Sequence, residues 1–94
     1  MILLSPDAVE DLERLRTFLD HANPGAAQRA LASSWTTLER LQDFPALGMP
    51  TDDPIIRQIV VRFGSSGYIV CYAIDPKTAD VLVTRVWHGR EARE

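Results

Sequence analysis

The spacing of apolar residues changes once along the chain, from a helical repeat to strand-like alternation. Between residues 6 and 43, apolar side chains recur every three or four positions, as in Leu12, Leu15 and Leu19, which is the period of one helix face. After residue 54, short segments either alternate or are apolar throughout, which is typical of strands in a small sheet. These segments are 55–63, 68–74 and 81–88. The sequence therefore predicts a helical first half and a sheet-forming second half.

Two helices are predicted in the first half. Ser5 is a favourable N-cap and Pro6 suits the first helical position, so the first helix should run from Pro6 to about His21. The pair Asn23-Pro24 repeats this start signal, and the second helix should run from about residue 24 to residue 43. Because only two or three residues separate the helices, they should form an antiparallel hairpin.

The second half is predicted to be an antiparallel meander of three strands. Short turns at 64–67 and 75–80 join the strands, whereas the stretch 44–54, which is rich in proline and glycine, is predicted to be a connecting loop. A short strand at residues 2–4 precedes the first helix. The predicted fold class is α+β, with the helical hairpin packed on a small, mainly antiparallel sheet in the order β-α-α-β-β-β. Residues 1–94 should form a single domain.

Alternation assigns the side chains of the last strand to two faces. Arg85 has the same parity as Val83 and Trp87, whereas His88 has the parity of Val86. Arg85 should therefore face the same side of the sheet as Val83. Unless a bulge intervenes, Arg85 and His88 should lie on opposite faces, which weakens the case for a catalytic Arg/His pair.

Charge and cysteine content limit the class of protein. Residues 1–54 contain four arginines against nine carboxylates, a net charge of −5, whereas residues 55–94 contain six basic against four acidic groups, a net charge of +2. The overall charge of −3 disfavours direct binding of nucleic acid by this chain alone. Cys71 is the only cysteine, so no disulfide can form within the chain. Because the apolar start is too short for a signal peptide or a membrane span, we expect a cytoplasmic protein without a membrane partner.

Few residues can be combined into a catalytic site. Two histidines and one cysteine are too few and too scattered for a zinc site, and no phosphate-binding loop is present. We therefore predict no metal and no cofactor. A metal-independent nuclease needs cations near the scissile phosphate and a general acid and base. Arg62, Arg85 and His88 are the residues of the right type for this alternative.

The end of the chain is both basic and aromatic. Arg85, Trp87, His88, Arg90 and Arg93 fall within its last ten residues, and tryptophan beside arginine is the usual composition of binding hot spots. These five residues are the predicted target-binding site. Two simpler readings stay open, namely that Trp87 only covers the core and that the last arginines are only solvated.

Four strings resemble the RelE/ParE superfamily of type II toxin–antitoxin toxins, in order and over nearly the whole chain. They are SPDAVEDLERL, FPALGMP, IRQIVVRFGSSGYIVCYAID and VLVTRVWHGRE. The ending Arg-Val-x-His-Gly-Arg is most similar to the ParE branch. This resemblance implies a toxin that poisons DNA gyrase by binding rather than by catalysis, and that forms a hetero-oligomer with a cognate, ParD-like antitoxin.

The resemblance leaves two alternatives. The RelE branch cuts mRNA on the ribosome, and its members often carry an arginine after the tyrosine of the central strand, lysines before it and a tyrosine near the end. Here Ile69 follows Tyr68, residues 55–67 contain no lysine, and no tyrosine follows Trp87. These departures favour gyrase as the target. The net negative charge leaves open a non-toxic homologue that only binds antitoxin.

The antitoxin is expected to be an acidic, amphipathic segment that covers the helices and an edge of the sheet. Apolar residues of the first helix and basic residues of the second half are the candidate contacts, because apolar burial supplies affinity and charge steers the encounter. The predicted antitoxin-binding residues are Leu12, Leu15, Leu19, Arg57 and Arg62.

Overall fold

A computed structural model of the chain describes residues 1–22, 25–63 and 66–88. Two helices pack on one face of a five-stranded sheet, and the predicted order of the main elements is confirmed. The elements are β1 (Ile2–Leu4), α1 (Pro6–Ala22), α2 (Ala26–Asp43), a short 3₁₀ helix (Pro45–Leu47), β2 (Met49–Pro50), β3 (Arg57–Phe63), β4 (Ser66–Ile74) and β5 (Val81–His88).

The helices begin where local chemistry allows. Ser5 caps α1 as predicted, because its hydroxyl accepts a hydrogen bond from the Ala8 amide at 3.1 Å. Helix α2 begins at Ala26, close to the predicted start at about residue 24, and Gly25 before it adopts the left-handed conformation with φ at 83°. The predicted cap Asn23 lies outside the described residues.

The sheet is mixed, with strand order β1-β5-β4-β3-β2. The short strand β1 runs parallel to β5, and the other neighbouring strands are antiparallel. Two boundaries differ from the prediction. Strand β4 begins at Ser66, so residues 66 and 67 of the predicted turn belong to a strand, and the connector contributes the edge strand β2.

Tyr72 explains why part of the connector is ordered. Its side chain is fully buried beneath the helices, and its hydroxyl donates to the Pro45 carbonyl at 3.0 Å and accepts from the Gly48 amide at 2.9 Å. A Cβ atom at Gly48 would overlap this hydroxyl. The phenol group of Tyr72 therefore helps to hold the 3₁₀ helix and the start of β2 against the core, a contact that the connector's own sequence does not reveal.

A bulge in β5 changes which residues face the helices. Cys71 pairs with Arg85 but the next residue, Tyr72, pairs with Val83, so one additional residue lies in β5. Val81 and Val83 are buried before the bulge, and Val86 and His88 are buried after it. The prediction that Arg85 shares a face with Val83 is therefore wrong. The prediction that Arg85 and His88 lie on opposite faces is confirmed.

Candidate target-binding site on the open face of the sheet

The face of the sheet that the helices do not cover carries three rows of side chains across neighbouring strands. In the row nearest the C-terminus, Val60 lies opposite Ile69, which lies opposite Trp87. Such directly opposed side chains are close neighbours on one face of a sheet. The other two rows are Gln58–Cys71–Arg85 and Ala73–Leu82–Leu3. This surface, which we call the open face, is therefore apolar at both ends and polar in the middle.

Arg85 and Trp87 meet on the open face. The guanidinium carbon of Arg85 lies 5.8 Å from the centroid of the Trp87 ring, within the range of a cation–π contact. The bulge produces this arrangement, because it turns both residues away from the helices. Two of the five predicted target-binding residues are thus brought together.

Asp11 of α1 determines where Arg85 points. Its carboxylate accepts hydrogen bonds from Arg85 Nε at 2.8 Å, from Arg85 Nη2 at 3.2 Å and from Arg14 Nη1 at 2.8 Å. The main-chain amide of Val86 donates a further bond to Oδ2 at 2.9 Å. Asp11 is 2% exposed, so this carboxylate is buried but fully partnered, as buried charges must be.

The partners of Asp11 also fix its charge. Burial alone would raise the pKa of Asp11, but the hydrogen bonds from Arg85, from the Val86 amide and from Arg14 outweigh it and hold the pKa below its ordinary value. The same ion pair raises the pKa of Arg85. Arg85 is therefore a cation held in place by Asp11, and because Asp11 also pairs with Arg14, the three side chains together keep a net positive charge.

Helix α1 also closes the edge of β5 beyond the end of β1. Ser5 bonds to the carbonyls of Val83 and Thr84, through its amide at 2.9 Å and its hydroxyl at 2.8 Å. Asp11 takes the Val86 amide, and Arg14 Nη2 donates to the Val86 carbonyl at 3.4 Å. Ser5 and two polar side chains of α1 thus take the hydrogen bonds that a neighbouring strand would otherwise take, so this edge next to the candidate site is closed.

His88 lies on the other face, inside the molecule. It is 8% exposed, and its ring meets Tyr68 edge-on with centroids 5.3 Å apart and lies 6.1 Å from the ring of Phe18. The predicted target-binding set is therefore divided between the two faces. Arg90 and Arg93 lie outside the described residues.

The candidate nuclease residues are likewise separated. Arg85 is bonded to Asp11 at the edge of β5, whereas His88 is packed among aromatic rings on the face that the helices cover. The side chain of Arg62 is outside the described part of the structure. Within residues 1–22, 25–63 and 66–88, no group of three His, Cys, Asp or Glu side chains could hold a metal ion.

The predicted antitoxin-binding leucines line a narrow cleft between the helices. Leu15 is buried, Leu12 and Leu19 are partly buried, and the cleft holds about 20 Å³ of space, which is room for roughly one water molecule. Tyr68 also lines this cleft, and its buried hydroxyl has no hydrogen-bond partner among the described residues. Burial raises the pKa of Tyr68.

Other apolar side chains on the helices are more accessible than the predicted leucines. Phe18, Leu31 and Trp35 are 59%, 39% and 48% exposed. Arg57, the remaining described residue of the antitoxin set, donates to the Gly48 carbonyl at 2.8 Å and so helps to hold β2 against β3.

Asp11 was not among the predicted site residues. A signal was present, because Asp11 lies three residues after Ala8 and four before Leu15, which places a carboxylate within the apolar stripe of α1. A charge in that position requires a cationic partner, and the basic residues of the last strand were the candidates. The bond from Asp11 to the edge of β5 could not be predicted, because the bulge that precedes the Val86 amide has no sequence signature here.

A match to a protein-family model identifies the family of this chain. A family model described as the ParE toxin of the type II toxin–antitoxin system parDE matches residues 2–93. The chain belongs to the ParE toxin family. Two relatives of this ParE-family toxin come from Caulobacter vibrioides (strain ATCC 19089 / CIP 103742 / CB 15). "Toxin RelE1" is 35% identical over 92 residues, covering 98% of this chain and 96% of the relative, and "Toxin RelE3" is 33% identical over 90 residues, covering 96% and 95%.

Solved structures of toxin–antitoxin systems share the fold. The chromosomal ParDE system from P. aeruginosa contains a chain with a TM-score of 0.74 and 16% identity, over 93% of this chain and 92% of that one. The intact E. coli RelBE complex contains a chain with a TM-score of 0.64 and 17% identity, over 99% and 98%. The helical hairpin on a mixed sheet is thus a fold of ParE and RelE toxins. In the described part of this ParE-family toxin, no helix is long and apolar enough to cross a membrane.

Proposed function

We propose that this ParE-family toxin inhibits DNA gyrase in the cytoplasm by binding it, and that a ParD-like antitoxin neutralises it. The open face around Trp87 and Arg85, continued by Arg90 and Arg93, is the proposed contact with the target. Trp87 supplies the large apolar contact, and Arg85 supplies a cation that is already oriented by Asp11. A contact with fixed rotamers loses less entropy on binding than a mobile one.

The observation that carries this proposal is the environment of Arg85 and His88. A nuclease of this kind would need a cation that is free to stabilise the negative charge of a pentacoordinate phosphorus transition state, with a general acid or base beside it. Arg85 instead balances a buried carboxylate at 2.8 Å, and His88 is 8% exposed on the opposite face. This geometry favours binding over RNA cleavage, in agreement with membership of the ParE family.

An antitoxin partner is supported by the structural neighbours, which are toxin–antitoxin systems, and by the exposed apolar side chains of this chain. Phe18, Leu31 and Trp35 project from the helices, and Val60 projects from the open face. A partner that binds both sides of the sheet would bury these groups together. Copurification with the product of the adjacent gene tests this part, and a stable, harmless protein expressed alone would contradict it.

The target is tested by brief induction in cells without antitoxin. Trp87→Ala should relieve growth arrest, induction of the SOS response and gyrase-linked DNA breaks together. Trp35→Ala is the matched control, because it removes the other tryptophan, which is 48% exposed on α2 and remote from the open face. Full toxicity of the Trp87 variant, with the fold intact by circular dichroism, would refute the proposed contact.

A second candidate function is cleavage of mRNA on the ribosome. The observation in its favour is that the two relatives at 35% and 33% identity carry the name RelE. Primer extension on cellular mRNA after the same induction separates the two functions. Cuts at defined codon positions, without the SOS response, would support the ribosome as the target.

A further inference from the structure

The guanidinium group of Arg85 has two hydrogen-bonding edges, and Asp11 occupies one of them. Nε and Nη2 donate to the two oxygens of the Asp11 carboxylate at 2.8 and 3.2 Å, which is a two-bonded, side-on pair. Nη1 makes no hydrogen bond to any of the described residues. The Arg85 side chain is 49% exposed, so Nη1 and the outer side of Nη2 are accessible to a partner. We call this pair of groups the outer edge of Arg85.

The guanidinium group lies beside an aromatic ring. Its carbon is 5.8 Å from the centroid of the Trp87 ring, and Trp87 ends the apolar row that runs from Val60 through Ile69 across the open face. The bonds to Asp11 limit the orientations of Arg85 before any partner arrives, which lowers the entropy lost on binding. An incoming group would therefore meet an oriented pair of donors next to an apolar surface.

The charges around the outer edge determine the kind of group that it accepts. Guanidinium N–H groups are donors only, so the partner must be an acceptor. Asp11 receives hydrogen bonds from both Arg85 and Arg14, and the three side chains carry a net charge of about +1 at neutral pH. Asp7, at the start of α1, adds a negative charge that acts on Arg85 through space. The outer edge therefore fits an acceptor with a single negative charge better than one with two.

A carboxylate of a protein fits this site better than the phosphates of DNA. A planar carboxylate accepts two parallel N–H bonds from one edge of an arginine. Binding of duplex DNA instead relies on several cations that contact phosphates, whereas this chain has a net charge of −3 and carries Asp7 near Arg85. The apolar row beside Arg85 also suits protein side chains. The chemistry of the site thus points to an aspartate or a glutamate with an apolar neighbour.

We propose that the outer edge of Arg85 binds an aspartate or glutamate side chain of the target, while an apolar residue next to that carboxylate packs on Trp87. This inference rests on the proposed function for the identity of the target, and it adds the chemistry of the contact. Asp11 is then a positioning residue, because it touches Arg85 and not the target. Asp7 weakens the contact through its negative charge.

The first test replaces Arg85 by lysine and measures the toxin concentration that halves supercoiling by purified gyrase. Lysine keeps the charge and can still pair with Asp11, but its single ammonium group offers no second planar edge. The concentration required should rise roughly tenfold or more. Arg14→Lys is the matched control, because Arg14 bonds to the same carboxylate at 2.8 Å, and its value should stay within about threefold of that of the unaltered toxin.

The second test changes the field at Arg85 without changing its contacts. Asp7→Asn removes a repulsive charge, so half-inhibition should need about two- to threefold less toxin at low ionic strength, and the gain should shrink in high salt. Asp7 lies in the first turn of α1, where its loss slightly lowers stability, so greater stability could not explain tighter binding. Asp52→Asn makes the same charge change in the connector after β2, at the opposite end of the strand order from β5, and should have no effect.

The possible outcomes separate this contact from the target itself. Absence of inhibition by the unaltered toxin would overturn the proposed target and the contact together. Inhibition that Arg85→Lys leaves unchanged, that Arg14→Lys weakens equally, or that Asp7→Asn weakens would overturn the contact alone. Fluorescence anisotropy of labelled duplex DNA without gyrase is the remaining arm. Binding of this DNA that Arg85→Lys abolishes would assign the outer edge to a phosphate and would also overturn the proposal.

Discussion

Replacement of Asp11 by alanine should destabilise the toxin far more than any other change to a carboxylate of α1. The variant leaves the Val86 amide without an acceptor in a buried position, which destabilises by about 1–3 kcal/mol. The Arg85 and Arg14 side chains are 49% and 47% exposed, so water replaces most of what they lose. Adding the void left by the side chain, we expect a loss of about 2–4 kcal/mol in the free energy of unfolding.

This magnitude is large for a chain of 94 residues. A domain of this size has a total stability of roughly 5–14 kcal/mol, and each kcal/mol corresponds to a shift in Tm of about 4–8 °C. The Asp11→Ala variant should therefore melt roughly 10–25 °C below the unaltered toxin. Thermal unfolding of the toxin, purified as a complex and then separated from the antitoxin, measures this shift directly by far-ultraviolet circular dichroism.

Glu13→Ala is the matched control for Asp11→Ala. Glu13 lies two residues further along α1, is 69% exposed and contacts Arg16 only at 3.7 Å. Its removal should change stability by less than about 0.5 kcal/mol. The reasoning would be refuted if Asp11→Ala lost less than about 1 kcal/mol, because Asp11 could not then be the group that closes the β5 edge.

Three further predictions concern Asp11, the hydroxyl of Tyr72 and the last two arginines. The pKa of Asp11 is depressed in the folded state, so its contribution to the free energy of unfolding is complete above about pH 5 and is lost as the pH falls through the folded pKa. The difference in Tm between the unaltered toxin and Asp11→Asn should therefore narrow below about pH 4 in an acid titration. Tyr72→Phe should lose about 1–3 kcal/mol in denaturant unfolding, because the Pro45 carbonyl and Gly48 amide lose their partner, whereas Tyr68→Phe should be neutral or slightly stabilising. Combined Arg90→Ala and Arg93→Ala should reduce growth arrest at least tenfold in a viable-count assay with stability unchanged; full toxicity would exclude these arginines from the target contact.

The main elements of the fold could be predicted because they are specified locally. Ser5 and Pro6 mark the start of α1, and the change of apolar period separates helices from strands. The apolar stripe of α2 was less informative, because it places Leu31 in the same seam as Leu38 and Leu41. In the structure Leu31 is 39% exposed and Ala30 is buried instead. The rotation of α2 about its own axis, which decides between these two residues, depends on packing against the rest of the molecule.

The candidate site could be predicted only in part, because it depends on contacts between distant parts of the chain. Composition identified Arg85 and Trp87, but parity placed them on the same face as Val83. The bulge before Arg85 reverses that assignment, and a one-residue irregularity changes the face of every side chain after it. The partnership of Asp11 with Arg85 spans 74 positions, so no local pattern could reveal it.

The central claim is that this chain binds gyrase through the open face without cleaving RNA, and a supercoiling assay with purified gyrase and purified toxin tests it most directly. Our account predicts that the unaltered toxin inhibits supercoiling and traps cleaved DNA, that Trp87→Ala does neither, and that Trp35→Ala behaves as the unaltered toxin. Undisturbed supercoiling at toxin concentrations at which ribosome-bound mRNA is cut would contradict it.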